Sequence, residues 1–117
     1  MTTKILWWSN HGPQQRHIDL LERIYGDVEI THKKGQITAE SVEREYFSDT
    51  YRDLYVAGPL SVLERVAELG LEPLIEDRVR VHKNNADYFD GHNHWKIKGF
   101  KRLKEIIRYT EPAVRRP

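Results

Sequence analysis

Apolar positions along the chain fall in short runs broken by polar, glycine-containing segments. Ile5-Leu6-Trp7-Trp8 is continuous and predicts a strand over about Lys4 to Ser9. Ile18, Leu20, Leu21 and Ile24 then recur at helical spacing, predicting a helix from about Pro13 to Tyr25, with proline in its first turn and Gly26 as its stop. Val28, Ile30 and His32 alternate with Glu29 and Thr31, the pattern of a second strand with one wetter face. Thr38 followed by Ser41 marks a helix start without a full capping box, and Val42, Tyr46 and Phe47 give it an apolar stripe. Leu54-Tyr55-Val56-Ala57 reads as a short buried strand. Gly58-Pro59 leads from it into a helix carrying Leu60, Val62, Leu63, Val66, Ala67 and Leu69, and Glu72 to Ile75 predicts a fourth strand.

This alternation is the order of βαβ units, which build mainly parallel sheets with helices on both faces. The expected fold is α/β, a small Rossmann-like three-layer sandwich in one domain spanning residues 1–117. After Ile75 the pattern changes. Arg78-Val79-Arg80-Val81 alternates like an edge strand, residues 83–94 are polar, aromatic and turn-rich and predict an irregular excursion, and residues 113–117 predict a frayed tail. Between 100 and 110 two periods compete. Phe100, Leu103 and Ile107 suit a helix, whereas Ile106 to Thr110 is rich in strand formers, and a closing strand before Pro112 is the preferred expectation.

Composition narrows the chemistry. With 117 residues, 38% apolar and 32% charged, the chain can bury one core and has no room for a separate cofactor domain, so no cofactor is expected. Absence of cysteine excludes disulfides, thiolate zinc sites and cysteine nucleophiles. The sequence contains neither an apolar run of membrane-spanning length nor a signal-peptide layout at its start, so a cytoplasmic protein without a membrane partner is expected. The net charge of +1 conceals an asymmetry: from Trp95 onward eight Lys or Arg face two Glu, a local +6, which leaves −5 on the first 94 residues. A solvated face is the plainer reading of that basic end. Interleaved with Trp95 and Phe100, however, Lys96 to Lys104 also has the make-up of a nucleic-acid contact.

Two clusters carry candidate chemistry. Ser9, Asn10, His11 and Arg16 share the turn between the first strand and its helix, where open α/β sheets present backbone N–H groups to ligands. Such a turn suits a phosphate, with Arg16 neutralising charge and Ser9 or His11 as candidate catalytic groups; in the plainer reading Ser9 or Asn10 only caps the helix. Lys33, Lys34, Gly58 and Pro59 fall on the same rim of a parallel sheet and complete the candidate ligand set. The second cluster is Asp87, Asp90, His92 and His94, where a His-x-His pair and a carboxylate have the make-up of a three-ligand metal site, although loops of this composition are more often plain turns. Trp7 and Trp8, adjacent in a strand, should face opposite helical layers, and Trp95 is the best placed of the three tryptophans to stack on a base, with core packing the simpler role.

The strand ending in a Ser/Asn/His turn, the segment Tyr55-Val56-Ala57-Gly58-Pro59-Leu60 feeding a leucine-rich helix, and the small size together resemble the compact Rossmann-like proteins that accompany type III CRISPR systems, the CARF-type sensors and ring nucleases. The resemblance covers about Lys4 to Ile75. It implies a homodimer that binds a cyclic oligoadenylate across its two-fold axis and cuts it without metal, a 2′-hydroxyl attacking the adjacent phosphate in line. Ser9, Asn10, His11, Gly58 and Pro59 are the residues it carries over. Three function classes therefore stand: a nucleotide- or phosphate-binding protein, possible cyclic-oligonucleotide sensing or phosphodiesterase activity included; a non-catalytic viral or mobile-element accessory protein; and a metal-dependent hydrolase using the Asp/His loop.

Overall fold

The computed structural model describes residues 1–104. Chain order is β1 (Thr3–Trp8), α1 (Gln15–Tyr25), β2 (Val28–Lys33), α2 (Ala39–Phe47), β3 (Asp53–Val56), α3 (Leu60–Glu68), β4 (Leu74–Arg80), a 3-10 turn (Lys83–Asn85), β5 (Tyr88–Phe89) and β6 (His94–Arg102). The strands form one sheet in the order β2-β1-β3-β4-β6-β5. Pairings β1–β2, β1–β3 and β3–β4 are parallel, as the βαβ order requires, while β4–β6 and β5–β6 are antiparallel.

Two apolar clusters lie on opposite faces of the sheet. Alternation along β1 sends Ile5 and Trp7 to one face, where they pack with Tyr55, Leu74 and Leu21 of α1. Leu6 goes to the other face, with Leu54 and Val56, under Val42 of α2 and Leu63 of α3. Trp7 and Tyr55 stack with ring centroids 3.7 Å apart. Trp8 packs against the second cluster, and its buried indole N–H has no hydrogen-bond partner among the described residues. Helix ends follow local chemistry. Thr38 Oγ1 accepts from the Ser41 backbone N–H at 3.1 Å while Ser41 Oγ accepts from the Thr38 N–H at 3.2 Å, so serine closes the reciprocal cap usually completed by Glu or Gln. Gly26 ends α1 at φ 75°, a conformation that glycine adopts without strain.

The expectation of a mainly parallel Rossmann-like sheet is corrected: residues 74–102 fold as an antiparallel ribbon, which makes the sheet mixed. The fourth strand and the supposed edge strand after it are one continuous β4, paired along its length with β6 and broken in register between Asp77 and Arg78. That irregularity offsets the alternation and disguises the strand in the sequence. Segment 83–94 is likewise an ordered excursion, containing the 3-10 turn, β5 and the start of β6. Phe100 lies in β6; the competing helix and strand readings over 105–110, and the tail 113–117, fall outside the described residues.

β4 meets β3 through the single register pair Tyr55–Leu74. A charged clamp strengthens that joint. Arg102, near the end of β6, donates from Nη1 to Asp53 Oδ1 at 2.7 Å and from Nη2 to Oδ2 at 2.9 Å, and Tyr25 donates its hydroxyl to the same carboxylate. Nη1 also donates to the Glu72 carbonyl at 2.9 Å, a residue held at φ 48° at the entry to β4. Among the described residues no helix is long and apolar enough to cross a membrane.

Candidate functional site

Because β1 lies between β2 and β3, the loop leaving β1 turns to α1 on one face and the loop leaving β3 turns to α3 on the other. The two loops diverge at the carboxyl ends of adjacent parallel strands, the topological switch point where open α/β sheets leave a crevice. A cleft of about 550 Å³ occupies that position. Ser9, His11, Gly12 and Gln14 of the β1–α1 loop form one wall, Ala57, Gly58 and Leu63 another, and Glu76, Arg78 and Tyr88 of the ribbon close the third side, with Trp7, His17 and Tyr55 at its base.

The β1–α1 loop is fixed by its own polar groups. Trp7 Nε1 donates to the His11 carbonyl at 3.0 Å, the Ser9 N–H donates to the Lys33 carbonyl at 3.0 Å, and Ser9 Oγ accepts from the His11 N–H at 3.3 Å. His32 Nε2 lies 2.7 Å from the Ser9 carbonyl and ties the loop to β2. Neither helix that begins beside the cleft has an acidic residue in its first turn, and α3 starts at Pro59 without a side-chain cap; α2, which begins away from the cleft, has Thr38 as cap and Glu40 in its first turn. Both cleft-side helices thus keep the positive ends of their dipoles uncompensated by an acidic side chain of their own first turn.

A chain of polar side chains runs along the base and the ribbon wall. His17 is 4% exposed and lies among the rings of Trp7, Tyr55 and Phe100. Its Nδ1 accepts from the Gln14 N–H at 2.9 Å, which assigns the proton to Nε2, and Nε2 donates to Glu76 Oε1 at 2.5 Å. Both ring nitrogens are therefore occupied: His17 orients the first turn of α1 and has no lone pair to offer a substrate. Glu76 Oε2 accepts from the Tyr88 hydroxyl, and Arg78 Nη1 donates to that same hydroxyl at 2.8 Å. Burial pushes the Glu76 carboxyl up, but hydrogen bonds from His17 and Tyr88 outweigh it, and the group stays ionised below its ordinary range. Burial, then the bond to Glu76, pushes the Tyr88 phenol up to about 12. The Arg78 guanidinium lies over the Trp95 ring, 3.9 Å from its centroid, and Trp95 Nε1 donates to Asp90 Oδ2 at 2.7 Å.

Of the candidate site residues singled out from sequence, Ser9, His11 and Gly58 line the cleft together with Asp90 of the second cluster. Asn10, Arg16, Lys33, Lys34 and Pro59 are not among the residues lining it. Asn10 accepts from the Gly35 N–H at 3.3 Å, and Lys33 pairs with Glu45 at 3.6 Å. The helix that Ser9 or Asn10 was expected to cap starts instead at Gln14, with His17 receiving the N-cap N–H. Glu76, Arg78 and Tyr88 were not found from sequence, because the strands that carry them read as an edge and an excursion; the alternation of Glu76 and Arg78 along one strand was the available signal.

The Asp/His loop is built as a turn. Asp90 Oδ1 accepts from the N–H groups of His92 and Asn93 at 2.8 and 2.7 Å, bonds that with the Trp95 indole hold its carboxyl well below the usual range. Asp87 accepts from the Ile97 N–H at 2.7 Å, and His94 stacks on Phe89. Gly91 sits between them at φ 98°. Among the described residues no group of three His, Asp or Glu is arranged to hold a metal. In the basic stretch Lys96, Lys98 and Lys104 are exposed, whereas Lys101 pairs with Asp77 and Arg102 serves the clamp.

Fold and cleft together define an α/β protein with, among the described residues, a mixed six-stranded sheet and a crevice at its switch point. Comparison with protein-family models, curated proteins and solved structures finds no match to this chain.

Proposed function

We propose that this is a small nucleotide- or phosphate-binding protein whose ligand seats in the switch-point cleft. The observation that carries the reading is the position of the cleft, between the diverging loops after β1 and β3 and beside two helix starts that lack acidic first turns. The N–H groups of Asn10 and Gly12, the members of the β1–α1 loop not already spent on Ser9, His17 or Lys33, and those of the α3 start supply donors to an anion there. A cyclic oligonucleotide, bound by a homodimer across its two-fold axis, is the ligand to test first, given the resemblance of the segment from about Lys4 to Ile75 to CRISPR-associated sensors and ring nucleases. Cleavage by the ligand's own 2′-hydroxyl asks the protein only for in-line orientation and proton transfer, for which the exposed His11 on the cleft wall is the available group.

The test is a thermal-shift screen of inorganic phosphate, mononucleotides and cyclic oligoadenylates, followed by amide NMR titration of whichever binds. A ligand at 100 times its Kd should stabilise the fold by about 2.7 kcal/mol, and shifts should concentrate at residues 9–14 and 56–58. If none of these compounds raises the melting temperature, the accessory-protein reading replaces this one. Light scattering across a dilution series tests the assembly: monomer throughout removes the shared two-fold site and leaves the single cleft standing.

A further inference from the structure

Resting on that reading, we infer that Arg78 is the residue that recognises the anionic group of the ligand, holding it across the cleft from the β1–α1 loop. Arg78 lies on the ribbon, beyond the part of the chain where strand-to-helix turns would be searched for phosphate contacts. Three observations support the assignment.

Arg78 is the Lys or Arg residue among those lining the cleft, and its side chain is 40% exposed, so it reaches solvent. The guanidinium is also fixed from several sides: Trp95 covers one face at 3.9 Å, the Tyr88 hydroxyl takes one N–H of Nη1 at 2.8 Å, and Glu76 Oε2 lies 3.8 Å from Nη1. A planar cation held by a ring face and one hydrogen bond presents its remaining donors as a rigid fork, which is the geometry that phosphate and carboxylate oxygens accept from two N–H groups at once. Finally, the anchors are themselves anchored. Tyr88 is bonded to Glu76, Glu76 to the buried His17, and Trp95 to Asp90. Two carboxylates line the cleft beside it: Glu76 receives donors from His17 and Tyr88, and Asp90 from the His92 and Asn93 N–H groups and the Trp95 indole, so both charges are satisfied locally and leave Arg78 able to engage a further anion. This chain spans α1, β4, β5 and β6, a costly arrangement for a surface arginine with no task.

The closing experiment titrates the intact chain with adenosine 5′-monophosphate, inorganic phosphate and adenosine by calorimetry at two salt concentrations. Wild type should bind the monophosphate more weakly at higher salt, and adenosine with little salt dependence. Arg78→Gln should weaken the monophosphate by at least about tenfold, since it removes a charge-assisted pair, and leave adenosine binding within about twofold. Arg78→Lys keeps the charge but loses the fork and the stacking, and should recover only a small part of the loss. Tyr88→Phe should weaken the monophosphate by an intermediate amount. Equal affinity of wild type and Arg78→Gln for the monophosphate overturns the assignment while the cleft reading survives. Absence of binding by wild type to all three probes overturns the assignment, and the cleft reading falls with it only if the cyclic oligoadenylates of the thermal-shift screen also fail to bind. Binding of inorganic phosphate as tight as that of the monophosphate keeps Arg78 as the receptor and assigns a free phosphate in place of a nucleotide.

Discussion

Arg102 shows how much one side chain does at the far end of the sheet from the cleft. Its fork satisfies both oxygens of Asp53, a carboxylate only 4% exposed, and the same guanidinium reaches the Glu72 carbonyl. Arg102→Ala leaves that carboxylate buried with the Tyr25 hydroxyl and the Leu54 N–H as donors, and should cost about 3 kcal/mol in urea denaturation. Glu76 gives a pH signature. Its folded-state pKa is depressed, so its stabilisation is fully present above the ordinary value of 4.5 and is lost as the pH falls through the lower, folded-state value. Glu76→Gln should therefore flatten the acid limb of the stability curve, measured as the difference from wild type at each pH because Asp90 and Asp49 are also depressed and contribute to the same limb. Little of this was legible beforehand. From sequence His17, near the start of the first helix, either packs or faces solvent, and only its three-dimensional position between Trp7 and Glu76 shows that it packs and that both its nitrogens are spoken for.

At the scale of elements, β1, β2, β3, the start of β4 and the three helices of the described residues were legible because each is short, periodic and punctuated by glycine, proline or a capping residue at its ends. Thr38 illustrates the point: removing its hydroxyl in Thr38→Ala should cost about 1 kcal/mol, since the cap also orders the entry to α2. The ribbon was not legible, for a physical reason. The register break at Asp77/Arg78 interrupts period-2 alternation, β5 is only two residues long, and the turn between β5 and β6 is held by Asp90, whose composition mimics a metal loop. Asp90→Ala should accelerate exchange of the amides of Asp87 and Asp90, which bond to Trp95 and Asn93 across the ribbon, and leave amides of β1 and β3 at wild-type protection. Uniform acceleration across the sheet would show that the ribbon does not open independently.

For the whole molecule, the cleft follows from topology: the loop of Ser9 and His11 is far in sequence from Gly58, and the two meet because β1 and β3 are neighbours whose exits diverge, which is why the loop residues were found while the ribbon wall was not. The slender joint between β3 and β4 has a further consequence in the time domain. The β1–β2–β3 unit and the β4–β6–β5 ribbon each pair internally, whereas the Asp53–Arg102 clamp that joins them closes 49 residues of chain. Contacts of long sequence separation must overcome loop-closure entropy before they contribute, so the clamp should form late, after the folding barrier has been crossed. Stopped-flow kinetics on Arg102→Ala should then show an almost unchanged refolding rate and an unfolding rate faster by about two orders of magnitude, the clamp acting as a lock on the folded state's lifetime and leaving the route to that state alone.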